Sequence, residues 1–88
     1  MSDKEGGFRI LIIDDEESVR ETLSMMLEDR GYEIRGARDG NRGLQLIEVF
    51  RPHLVITDII MPDKEGIETI IEVRRRWPDL RIIAISGG

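Results

Sequence analysis

Three carboxylates in this 88-residue chain stand where they could do chemistry together. Asp14 and Asp15 stop the apolar run Ile10-Leu11-Ile12-Ile13, and Asp58 stops the run Leu54-Val55-Ile56-Thr57. Two carboxylates about 5 Å apart repel by roughly 3 kcal/mol at an effective dielectric near 20. If the three converge, they burden a small domain unless a divalent cation binds among them. Oxygen donors alone select a hard cation, and Mg2+ keeps waters and accepts phosphate oxygens. A carboxylate beside such an ion can also attack a phosphoryl group and become an aspartyl phosphate. Asp58 is the candidate nucleophile, because it follows an apolar strand and opens a loop; Asp14 and Asp15 are the candidate metal ligands. The competing reading makes all of them solvated loop acids, with Asp14 to Glu17 favoured by the positive end of a following helix.

The elements that must position these acids are legible in the hydrophobic pattern. Arg9 to Ile13 is a short continuous apolar run, as expected of a strand buried on both faces. Val19, Leu23, Met26 and Leu27 form one stripe of an amphipathic helix, which Gly31 is placed to stop. Tyr32 to Ala37 reads as a second strand and Asp39-Gly40 as a turn. Leu44, Ile47 and Phe50 mark a second helix, ended by Arg51-Pro52. His53 to Thr57 is a third strand, followed by an irregular stretch from Ile59 to Glu65. Ile67, Ile70 and Ile71 predict a third helix, with Arg74-Arg75-Arg76 at its C-terminal end and Pro78 beyond. Arg81 to Ile85 is a fourth strand. The βαβαβαβ order implies a parallel α/β sheet with right-handed crossovers. In such a sheet ligands bind beyond the C-terminal strand ends, where the strand order reverses. If strands 1 and 3 are neighbours there, the three acids meet.

Composition narrows the function classes. With no cysteine and one histidine, disulfide frameworks, zinc ribbons, thiol nucleophiles and multi-His metal sites are excluded. A formal net charge of −5 argues against a phosphate-backbone binder, so no direct nucleic-acid partner is expected. The apolar runs are far short of a membrane span, and Met1 to Gly7 has no apolar signal core. The expectation is a cytoplasmic single domain from residue 8 to 88 behind a flexible tail of residues 1–7.

Taken together, these residues resemble the receiver domain of two-component response regulators. The match runs through Ile10-Leu11-Ile12-Ile13-Asp14-Asp15-Glu16, Asp39-Gly40, Leu54-Val55-Ile56-Thr57-Asp58-Ile59-Ile60-Met61-Pro62 with Gly66, and Ile82-Ile83-Ala84-Ile85-Ser86. The resemblance implies a flavodoxin-like, doubly wound fold with strand order 2-1-3-4-5, of which this chain carries 2-1-3-4. It implies Asp58 as phosphoacceptor, charged by a histidine kinase or phosphotransfer protein. It implies Asp14, Asp15, Asp58 and the backbone carbonyl of Ile60 as Mg2+ ligands, and Ser86 as a switch hydroxyl beside the mobile Gly87-Gly88 loop. Receivers continue with a fourth helix, a fifth strand and a fifth helix, and these 88 residues do not include them. Their strand-5 lysine and aromatic switch residue have no counterpart here, since Lys4 and Lys64 lie elsewhere. An output domain is likewise absent.

Two alternatives accompany this reading. One is a truncated, phosphorylation-incompetent receiver serving as an oligomerising scaffold through an exposed strand 4, apolar on both faces. The other is a Mg2+-dependent hydrolase, disfavoured because no Asp-x-Asp pair or general base is evident. Outside the acid cluster, His53 reads as an exposed strand-entry residue, Met26 as core and Trp77 as a packing residue. Arg74 to Arg76 read as a solvated helix end. Gly43 weakens helix 2 by about 1 kcal/mol relative to Ala. Ile60, two residues beyond the acceptor, is apolar and cannot orient an attacking water, so hydrolysis of the aspartyl phosphate is expected to be slow. Ile60→Asn should speed the decay of the phosphorylated mass; an unchanged rate would count against this role.

Overall fold

The computed structural model describes residues 7–59 and 65–85. It contains β1 (Arg9–Ile13), α1 (Glu17–Glu28), β2 (Glu33–Ala37), α2 (Gly40–Phe50), β3 (Leu54–Asp58), α3 (Glu65–Arg76) and β4 (Arg81–Ile85). The strands form one sheet in the order β2-β1-β3-β4, with every neighbouring pair parallel. This is the flavodoxin-like order expected from the sequence. It reverses direction between β1 and β3, because β2 lies on one side of β1 and β3 on the other.

The sheet divides the core in two. Ile10 and Ile12 of β1 and Ile34 of β2 face α1, joined by Leu23, Leu27, Leu54 and Ile56. Leu11, Ile13, Ala37 and Val55 face the other way and pack with Ile47 of α2 and Val73 of α3. Both faces of β1 are therefore covered, which is why its sequence is an unbroken apolar run. Fully burying an aliphatic side chain contributes about 1.5–3 kcal/mol, so the run from Ile10 to Ile13 anchors the domain.

Several local expectations need correction. Met26 is 60% exposed and not core. Leu23 and Leu27, four residues apart, take the seam over the sheet, and Met26 is turned about 100° from Leu27. Ile67 and Ile71 are also exposed; the inward face of α3 is Gly66, Thr69 and Val73, with Ile70 at its margin. Asp39 is not a free turn residue. It N-caps α2, its side chain accepting the Arg42 backbone N–H at 2.8 Å. Asp58 is the last residue of β3 rather than the first beyond it, and Tyr32 and His53 precede their strands.

Other expectations stand. Gly31 has φ 95° and follows the last turns of α1, a left-handed conformation that suits glycine. Trp77 packs against the α2–α3 core. His53 is exposed, and its Nδ1 accepts the Arg9 backbone N–H at 2.9 Å. At the end of α3, Arg75 bonds Glu72 at 2.6 Å and Arg76 bonds Glu48 at 2.7 Å. β4 borders the described sheet, with Ile82 packed on the core and Ile83 about half exposed.

The structure supplies the reason for Gly43 that composition lacks. A Cβ at this position would overlap Ile13 Cδ1 and sit 3.0 Å from Ile13 Cγ1. Glycine lets α2 lie directly on the residue that precedes Asp14. Helix propensity alone predicts that Gly43→Ala gains up to about 1 kcal/mol. Overpacking against Ile13 predicts instead a loss of about 1–3 kcal/mol, read as a lower urea midpoint.

Candidate functional site

The register of β1 against β3 builds the site. Ile13 lies opposite Thr57, so the next residues in each strand, Asp14 and Asp58, come side by side at the C-terminal edge. Both carboxylates are buried, at 3% and 6% exposure, whereas Asp15 is exposed. One oxygen from each of Asp14, Asp15 and Asp58 lies within 4.8 Å of the other two, so the three could hold a metal ion. The convergence expected from the sequence is thus present. Ile60 and Ser86, the other two site residues named from the sequence, lie outside the described residues, as do Met61, Pro62, Lys64, Gly87 and Gly88.

Asp14 is held at three points. Its backbone N–H donates to Ala37 O at 3.0 Å, which ties it to the end of β2. Its Oδ1 accepts the Glu16 N–H at 2.9 Å, turning the chain into α1. Its carbonyl accepts Arg20 Nη1 at 2.7 Å. Sequence periodicity does not point to Arg20; its one signal is that it is a single cation within the acidic first turns of α1. The guanidinium reaches back six residues and fixes the backbone of the acid pair without neutralising a carboxylate directly.

Asp58 is fixed from the other side. It pairs in register with Ile85, and the next amide, Ile59 N–H, donates to Ile85 O at 2.9 Å. The Thr57 hydroxyl donates to Asp58 O at 3.3 Å. Gly66, in the first turn of α3, presses on this backbone. A Cβ there would come 2.6 Å from Asp58 O and 2.7 Å from Ile59 Cα. That contact also sets the rotation of α3, turning Thr69 and Val73 inward and leaving Ile67 and Ile71 outside.

Crowding of like charge has a measurable sign. Burial pushes the Asp14 carboxyl above its ordinary value of 3.8, and the charges of Asp58, Asp15 and Glu16 push the same way; the Glu16 N–H opposes them. The native state therefore retains a proton that the unfolded chain has already released. Asp14 favours the fold at acid pH, and that contribution is lost as pH rises from 3.8 through the raised native value. A bound divalent cation would offset the penalty at neutral pH by replacing the proton with positive charge.

Comparison with known proteins agrees with this geometry. The profile of the family described as the response regulator receiver domain matches residues 10–88. The response regulator MprA of Mycolicibacterium vanbaalenii is 38% identical over 79 residues, covering 90% of this chain and 34% of MprA. The chain thus spans about a third of the length of the curated relatives it matches. The response regulator TrrA of Thermotoga maritima, solved in complex with Mg2+–BeF, superposes with a TM-score of 0.83 at 39% identity; the match covers 90% of this chain and 69% of TrrA. A CheY-like receiver domain protein from Methanospirillum hungatei superposes with a TM-score of 0.86 at 33% identity, covering 93% of this chain and 66% of that one.

Asp14→Asn tests the charge balance. The amide oxygen can still accept the Glu16 N–H, while one of three crowded charges is removed. At neutral pH without metal, the variant should be more stable than the parent by at least about 1 kcal/mol. It should also lack the Asp14 component of the fall in stability with rising pH. Added Mg2+ should raise the Tm of the parent and have little effect on the variant.

Proposed function

We propose that this chain, which belongs to the response regulator receiver domain family, accepts a phosphoryl group on Asp58 in a Mg2+-dependent reaction. The observation that carries the reading is the cluster of Asp14, Asp15 and Asp58, with one oxygen from each within 4.8 Å of the others at the ends of β1 and β3. The donor is a phosphohistidine on a histidine kinase or phosphotransfer protein. A carboxylate oxygen of Asp58 attacks phosphorus, and the bond from phosphorus to the donor nitrogen breaks as the acyl phosphate forms. The module is then a signalling switch rather than a turnover enzyme.

Each residue has a distinct part in this reading. Asp14, Asp15 and Asp58 are the residues that would hold Mg2+, together with the Ile60 carbonyl. When bound, the ion supplies positive charge against the transferred phosphoryl group. Burial of Asp58 excludes water from the nucleophile, and the Gly66 contact and the Ile59–Ile85 bond keep its backbone fixed. Ser86 follows Ile85 in the chain, and Ile85 is the register partner of Asp58, so a switch role for its hydroxyl fits the topology. The Mg2+–BeF complex of TrrA supports the metal assignment by similarity. A hydrolase would need a base to activate water, and Ile59 and Ile60 after Asp58 offer none. Among the described residues no helix is long and apolar enough to cross a membrane. The same reading assigns the outer edge of β4, where Ile83 is about half exposed, to self-association.

The test is an intact mass measurement after incubation with Mg2+ and a small-molecule phosphodonor. The expected result is a gain of one phosphoryl group, lost on omission of Mg2+ and absent in Asp58→Asn. No gain with the parent chain, in a sample verified to be folded, would overturn the phosphoacceptor role in favour of a scaffold.

A further inference from the structure

The far edge of the sheet carries a feature that the acid site does not use. Among the described residues β2 pairs only with β1, and on its other side the Ile34 C=O accepts Arg35 Nη1 at 3.2 Å. Glu33 donates its N–H to Phe8 O and Ala37 accepts from Asp14 N–H, so these residues turn their backbone groups toward β1. By the alternation of a parallel ladder, the N–H and C=O of Gly36 point the other way, into solvent. At this point the edge is a groove of about 500 Å³, with Arg20 on the α1 side and Arg38 and Arg42 on the α2 side. No carboxylate among the described residues lines it. Asp39, the nearest in sequence, caps the Arg42 backbone N–H, and only a long 4.0 Å approach joins it to Arg38. Beyond Gly36 on the α1 side the character changes, because Glu17 and Glu21 line an adjoining hollow with the exposed Met25.

We propose that this edge docks an extended acidic segment of a partner protein, which adds to β2 as a fifth strand at Gly36. Strand addition takes its affinity from main-chain bonds and its specificity from alternate side chains. Successive side chains of an added strand point to opposite faces. Those on the α2 side meet Arg38 and Arg42 and should be Asp or Glu. Those on the α1 side meet Met25 and Ser24 with Glu17, Arg20 and Glu21 around them, so apolar side chains there pack on Met25 and avoid the two carboxylates. The bare backbone of Gly36 gives an added strand no Cβ to clear, and the Arg20 side chain packs over its face, 3.4 Å from where a Cβ would sit. The three guanidiniums also act as edge guards: they repel the basic segments that would otherwise pair there. The inference does not depend on phosphorylation of Asp58.

The probe is a fluorescent heptapeptide alternating glutamate and valine, titrated against the 88-residue chain by polarisation. Saturable binding that weakens with salt is expected, with the Gly36 amide among the largest NMR shifts. Arg38→Glu with Arg42→Glu should weaken it at least about tenfold, and the milder Arg38→Gln with Arg42→Gln should do so in part, each in a sample with unchanged circular dichroism. A peptide of the same composition with its glutamates in one block should bind at least about tenfold more weakly. Equal binding of the block peptide, displacement by millimolar inorganic phosphate, or no binding of the alternating peptide would each overturn the proposal.

Discussion

The pairing of β1 with β3 is the constraint on which the rest of the molecule depends. With Ile13 opposite Thr57, two strands that end in aspartate must end together, and the sheet forces like charges into one small volume. Nothing local in either strand asks for this. Ile10 to Ile13 and Val55 are buried because α1 covers one face and α2 and α3 the other, and burial of that apolar surface outweighs the repulsion it imposes at the edge. The site is thus the strained end of a buried strand. Its strain is electrostatic rather than conformational: β1 and β3 are regular, and among the described residues the one positive φ outside glycine is Arg51, at the opposite end of the sheet.

Two glycines turn that sheet edge into a defined geometry. Gly43 lets α2 rest on Ile13, immediately before the acid pair, and Gly66 lets α3 rest on the Asp58 carbonyl and Ile59. Each removes a methyl group from the contact between a helix and the strand end that carries a carboxylate. A helix held about one side chain farther off would leave those strand ends less restrained, and metal ligation tolerates little spread in ligand position. The stabilising term lost by placing glycine in a helix is therefore recovered as positional accuracy.

How much of this was legible beforehand follows from range. The strands, the helices and their order came from periodicity, which is a local signal, and the resemblance supplied the strand order. The convergence of Asp14, Asp15 and Asp58 followed once β1 and β3 were neighbours. What escaped were the properties set by how a helix is rotated on the sheet. Met26, Ile67 and Ile71 fit an apolar stripe in sequence and yet face outward, because Leu27 and Gly66 decide the seam. In a helix, neighbouring positions differ by about 100°, so a stripe with one apolar residue too many has two consistent rotations. In α3 the contact of Gly66 with Asp58 and Ile59 accompanies one of them, and its partners lie on β3 and just beyond it. Arg20 escaped for the same reason: its bond to the Asp14 carbonyl spans a turn that no periodicity describes.

Arg20 also joins the two regions of the molecule that carry excess charge. Its Nη1 bonds the carbonyl of Asp14, while its aliphatic portion lies over Gly36 at the open edge of β2. A guanidinium offers five N–H donors in a rigid fork, so holding one carbonyl leaves donors that can face the groove. The Asp14 N–H is bonded to Ala37 O, the neighbour of Gly36 in the same strand. The backbone of the acid pair and the backbone of the β2 edge are thus one hydrogen-bonded unit with Arg20 as its clasp. A shift of the Asp14 backbone acts on a side chain that also packs over that edge. By the reciprocity of linked equilibria, anything that binds the edge through Arg20 must in turn bias the acid cluster, to the extent that Arg20 differs between the two states.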